Sequence, residues 1–98
     1  MKYKPFDLGA FGALELNALP AASYLVRFHA PDSAGYEKMT VVSVLDEGET
    51  LFLSGWIGRP LSLAQWRAAK AAAFPNAQRV RFEREDSTGH IRLVELQI

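Results

Sequence analysis

The chain has 98 residues, 49% of them hydrophobic and 11% aromatic, which is enough apolar material for the core of one small domain spanning residues 1–98 and argues against disorder. It contains no cysteine, which excludes a disulfide framework, a thiolate metal site and a cysteine nucleophile, and a reducing cytoplasm is the expected location. Eleven basic residues balance eleven acidic ones, so the whole-chain charge points to neither nucleic acid nor an anionic membrane. The balance is uneven along the chain: residues 1–55 carry four basic and seven acidic groups, and residues 56–98 carry seven and four.

The first twenty residues hold Tyr3, Phe6, Leu8, Phe11, Leu14, Leu16 and Leu19 among Gly9 and Gly12, more apolar surface than a solvated tail carries. Pro5, Asp7 and Glu15 interrupt this run too early for an export signal or a membrane span. The expectation is a short strand or turn near residues 13–16. The rest of the segment is expected to cover the open face of a sheet or to lie across a subunit boundary, with Phe6, Leu8 and Phe11 as partner-binding residues.

From residue 24 to 29 the sequence alternates Tyr24, Val26 and Phe28 with Leu25, Arg27 and His29, a strand that Pro31 stops. Pro31, Asp32, Ser33 and Gly35 mark a loop. Residues 39–45 are apolar in both phases and rich in valine, which reads as a strand covered on both faces. Asp46, Glu47, Gly48 and Glu49 then turn the chain into a hairpin partner over residues 50–54. This acidic tip lacks the alternating ligand spacing of a calcium loop, and no metal is expected there.

The one helix is the best-defined element. Ser62 stands three residues before Gln65, the capping-box spacing, and Leu61 stands five before Trp66, the staple spacing. Six of the eleven residues from 63 to 73 are alanine, and Pro75 ends the run. At 100° per residue Trp66, Ala69, Ala72 and Ala73 share the side expected to face the sheet, with Ala64, Arg67 and Ala71 opposite. The polar stripe is narrow, so Trp66 and the outer side of the helix are also candidates for partner contact.

Residues 78–85 alternate Val80 and Phe82 with Arg79, Arg81 and Glu83. The last strand changes phase between Leu93 and Val94, which a β-bulge would repair, pairing Phe82 with Leu93, Val80 with Leu96, Glu83 with Arg92 and Arg81 with Glu95. The predicted fold is therefore α+β: a mixed, mostly antiparallel five-stranded sheet in the order βββαββ, one helix on one face, and a parallel pair across the helix. The apolar last strand is placed between the third and fourth, giving spatial order 1-2-3-5-4 with the charged strand at the edge.

Chemistry is sparse. The stretch Ser54, Gly55, Trp56, Ile57, Gly58, Arg59, Pro60, Leu61, Ser62 joins a strand to a helix N-terminus, where backbone N–H groups and the helix dipole attract anions. Gly55, Gly58, Arg59 and Ser62 are the candidate anion-binding residues. A strand followed by such a turn and helix resembles the cofactor-binding part of acetyltransferase folds, which implies an acyl-CoA or nucleotide phosphate at this turn. The Arg or Gln with a tighter glycine run that those enzymes carry is not present, and Gly55 and Gly58 stand alone. His29 and His90 are far apart in sequence, and a Ser54, His29, Asp32 triad has no nucleophile-elbow motif behind it. Arg79, Arg81, Arg84 and Arg92 form a basic stripe, but interleaved glutamates and the lack of outward stacking aromatics argue against nucleic acid. The leading expectation is a non-enzymatic protein-binding module, of the adaptor or inhibitor kind, without catalytic residues, metal or cofactor, and with another protein or a second copy as partner. Anion, nucleotide or acyl-CoA binding at residues 55–62 is the alternative, and nucleic-acid binding through the Arg-rich terminal hairpin the weakest.

Overall fold

A computed structural model of the chain describes residues 6–31 and 35–98. Those residues form seven strands and one α-helix: β1 Phe6–Asp7, β2 Ala13–Leu19, β3 Ser23–His29, β4 Tyr36–Leu45, β5 Thr50–Ile57, α1 Leu63–Ala73, β6 Arg79–Glu85 and β7 Ile91–Gln97. The strands lie side by side in chain order, all neighbours antiparallel except β5 and β6. The class is α+β with a seven-stranded mixed sheet in place of the expected five strands.

The two extra strands come from the N-terminal segment. From Phe6 onward the segment does not lie over the sheet but extends it beyond β3, with Leu14 opposite Phe28 and Leu16 opposite Val26, while Tyr3 lies outside the described residues. Gly9–Phe11 makes a 3-10 turn that brings Leu8 into the core, and Gly12 follows with φ 101°. A Cβ at Gly12 would lie 1.8 Å from the His29 carbonyl oxygen, so only glycine lets β2 start against the end of β3.

One face of the sheet carries Leu14, Val26, Phe28, Val42, Leu51, Leu53 and Val80, and α1 packs there through Trp66 and Ala69, with Leu61, Phe74 and Ala77 from its flanks. Trp66 meets Phe28 edge to face at 6.1 Å. Ala72 and Ala73 lie at the margin of this core while Ala64, Arg67 and Ala71 are exposed, as the helical periodicity predicts. The capping box is formed: the Ser62 hydroxyl accepts the Gln65 N–H at 3.1 Å, and the Ser62 N–H donates to Gln65 Oε1 at 2.8 Å.

The predicted order 1-2-3-5-4 is wrong. The parallel pairing of β5 with β6 stands, but β6 lies directly beside β5 and β7 forms the sheet edge. The charges of β6 belong to its exposed face and not to an edge: Arg81 binds Glu95 at 2.6 Å, and Asp46 lies 3.9 Å from both Arg79 and Arg81. The bulge expected at residues 93–94 is absent too. β6 and β7 pair without interruption, joining Val80 to Leu96 and Arg81 to Glu95 as predicted, but Phe82 to Val94 and Glu83 to Leu93. An unbroken ladder keeps every backbone bond, and its cost is that Ile91 and Leu93 are left 65% and 62% exposed.

Bulges occur elsewhere. Thr40 pairs with Trp56 and Val41 with Ser54, so Gly55 is the inserted residue, at φ 61°. It turns Trp56 onto the helix side and Ile57 onto the other.

Candidate functional site

Two of the four residues of the predicted anion turn, Gly58 and Ser62, have local structural roles. Gly58 has φ 92°, and a Cβ there would lie 2.5 Å from the Glu37 carbonyl oxygen, so its glycine serves a close backbone approach. Ser62 and Gln65 cap each other, and Lys38 Nζ also reaches Gln65 Oε1 at 3.5 Å. Arg59 is exposed. Gly55, by contrast, borders open space, with nothing within 4 Å of where a Cβ would stand.

Beside this turn lies a cleft of about 430 Å³, between the N-terminal end of α1, β5 and the β6–β7 hairpin. Its walls are Leu53, Trp56, Leu61, Trp66, Phe82 and Leu96, with Glu83 and Arg84 at the rim. The Trp56 indole N–H is buried without a hydrogen-bond acceptor among the described residues.

The opposite face of the sheet carries no described element. At its centre Leu25, Met39, Val41 and Phe52 are only half-buried, and Ile57 is 54% exposed. The registers join them: Leu25 lies opposite Val41, and Met39 opposite Ile57. A depression of about 300 Å³ among Leu25, Met39, Val41 and Ile57 makes the patch slightly concave. Charged groups flank it. On one side His29 Nε2 lies 2.6 Å from Glu15 Oε1, and Arg27 stacks over Tyr36 at 5.4 Å. On the other, Asp46, Arg79, Arg81 and Glu95 form one charged network, with Thr50 donating to Asp46 at 2.6 Å and accepting from Arg79 at 2.8 Å. Asp46 is thus a structural acceptor and more than a solvated hairpin tip. The reading of residues 39–45 as covered on both faces is corrected, because Met39 and Val41 lie on the open side.

The four residues predicted to bind a partner are split. Leu8 and Trp66 are 6% and 2% exposed and belong to the monomer's core, whereas Phe6 and Phe11, at 36% and 39%, present surface near the β1 edge. The Ser54 and His29 of the conceivable triad are not brought together: Ser54 lies opposite Val41 and so two strands from Leu25, which is four residues along β3 from His29. Asp32 lies outside the described residues. His90 sits in an exposed turn where Asp86 accepts hydrogen bonds from the Thr88 hydroxyl and from the backbone N–H groups of Thr88 and His90. Those bonds, the Thr88 hydroxyl first, hold the Asp86 carboxyl below the usual range. No group of three metal-ligating side chains occurs among the described residues, and no described helix is long and apolar enough to cross a membrane.

Sequence reasoning missed the open-face patch. Its signal was present in residues 39–45, whose second apolar phase needed a second covering layer that the described residues do not supply. Comparison with protein-family models, with curated proteins and with solved structures returns no match.

Proposed function

We propose that the chain is a small non-enzymatic protein-binding module whose partner, another protein or a second copy, covers the open face of the sheet. The observation that carries this reading is the patch of Leu25, Met39, Val41 and Ile57, with Phe52 diagonal to Val41 across Ser43 and Ser54, on a face that no described element covers. A sheet with one packed face normally turns polar residues to water on the other, and here the centre of the second face is apolar while its margins are charged. That distribution, an apolar centre inside a polar rim, is the anatomy of a protein interface.

The test replaces two central residues, Val41→Lys together with Phe52→Lys. Neither supports the helix side, so circular dichroism and melting should show the folded state. Sedimentation of the purified protein and affinity recovery from its native host should give a complex with the parent chain and none with the variant. A complex that survives both lysines, or a parent chain that stays monomeric and recovers no specific partner, would overturn the reading.

A further inference from the structure

The cleft on the other side of the sheet has its own logic. β5 and β6 are hydrogen-bonded from the Thr50–Arg79 pair to the Leu53–Phe82 pair. Beyond that point the strands part, β5 running on to Ile57 and β6 to Glu85. Each keeps a neighbour on its far flank, β4 beside Ser54–Ile57 and β7 beside Glu83–Glu85, but the flanks that face each other have no strand between them among the described residues. Unpaired strand edges present N–H and C=O groups that another extended chain can satisfy.

We propose that this cleft binds an extended peptide segment of an acidic, apolar kind, inserted as a strand between β5 and β6. The parted stretch is three to four residues long, which at about 3.3 Å per residue spans roughly 10–13 Å. Main-chain pairing to both edges supplies affinity and alternate side chains supply selectivity, as in other strand-addition complexes. The side chain turned toward α1 meets Leu61, Trp66, Phe82 and Leu96 and must be large and apolar. The next residue on that same side meets the rim at Arg84. Arg92 stands directly opposite Arg84 on β7, just outside the cleft lining, and neither guanidinium has an ion-pair or hydrogen-bond partner among the described residues, while Glu83, in phase with Arg81, turns to the other face. An acidic residue two positions from the apolar one answers that paired positive charge. A purely apolar small molecule would fill the walls and leave both backbone edges and both arginines unanswered.

The probes are two capped pentapeptides, acetyl-Ser-Leu-Ser-Glu-Ser-amide and its reversed order, which cover both strand directions. They are titrated into the full chain while amide shifts of residues 54–57 and 83–85 and the fluorescence of Trp56 and Trp66 are followed. One order should saturate these signals. N-methylation of the two backbone nitrogens flanking its leucine should weaken binding at least tenfold, and replacing its glutamate by lysine at least threefold. Leu96→Trp, which narrows the cleft, should abolish the shifts while leaving open-face association intact. The proposal falls if neither peptide moves these amides at millimolar concentration, if the N-methylated peptide binds equally well, or if the shifts map to Leu25, Val41 and Phe52. It also falls if acetyl-CoA moves the same amides and neither peptide does.

Discussion

Trp56 and Trp66 line the same cleft and differ in what surrounds them. Trp66 is almost wholly buried against Phe28, so Trp66→Phe should cost roughly 0.5–3 kcal/mol, toward the upper end, through lost contacts and a residual void. Trp56 is half-buried and its indole N–H has no acceptor among the described residues, and a buried donor left unpaired costs about 1–3 kcal/mol. Trp56→Phe removes that donor along with some contact area, so its net cost should stay below about 1 kcal/mol. Urea unfolding of the two variants reads the difference directly, and equal losses would contradict the environments described. Glu95 supplies a second residue-scale prediction. Its hydrogen bond to Arg81 is the main cause that holds its carboxyl below the usual range. A carboxyl depressed on folding contributes stability that is present above the unfolded value and lost as pH falls through the folded one. The pair should therefore weaken only under acid, as pH falls below the ordinary glutamate value and through the lowered folded one. Carboxyl carbon shifts should show Glu95 titrating below free glutamate in the parent and near it in Arg81→Met.

The elements differ in how far a linear sequence can define them. Ser62 and Gln65 are three residues apart and cap each other whatever the rest of the fold does, so the helix start was legible. Ser62→Ala should cost about 0.5–2 kcal/mol, measured by thermal unfolding. The alternation of β3 and β6 was legible for the same local reason. The register of β6 with β7 was not, because Ile91 and Leu93 were assumed to face inward, and only the whole sheet decides that the hydrogen-bonded ladder outweighs their burial. That register places Arg84 against Arg92, a like-charge pair the expected Glu83–Arg92 pairing concealed. Arg92→Glu should raise stability by roughly 0.2–1 kcal/mol, since opposite charges replace like ones across the strands. The same change should weaken the acidic peptide at the cleft. A stabilised variant with undiminished peptide binding would separate the two roles of this arginine and count against the charge argument for the mouth.

At the scale of the molecule, the N-terminal segment and the open face were one question in the sequence and are two in the structure. Seven large apolar residues in the first nineteen needed cover, and one sheet face needed a cover, so joining them was economical. The sheet grows sideways instead: β2 pairs along the whole of β3, and Leu8 and Leu14 enter the core on the helix side. Gly12, which permits that entry, carried no signal that distinguished a strand start from a flexible turn. Removing residues 1–12 therefore strips Leu8 and β1 from the monomer without touching Leu25, Met39, Val41, Phe52 or Ile57. Losing one buried leucine forfeits about 1.5–3 kcal/mol, and in a domain of this size each kcal/mol moves Tm by roughly 4–8 °C, so the melt should fall by about 6–24 °C. Association through the open face should persist in the shortened chain at temperatures where it remains folded. Calorimetry and sedimentation on the same two samples check both halves. An unchanged Tm would show that Leu8 does not complete the core, and a lost complex with an intact fold would return the N-terminal segment to the interface.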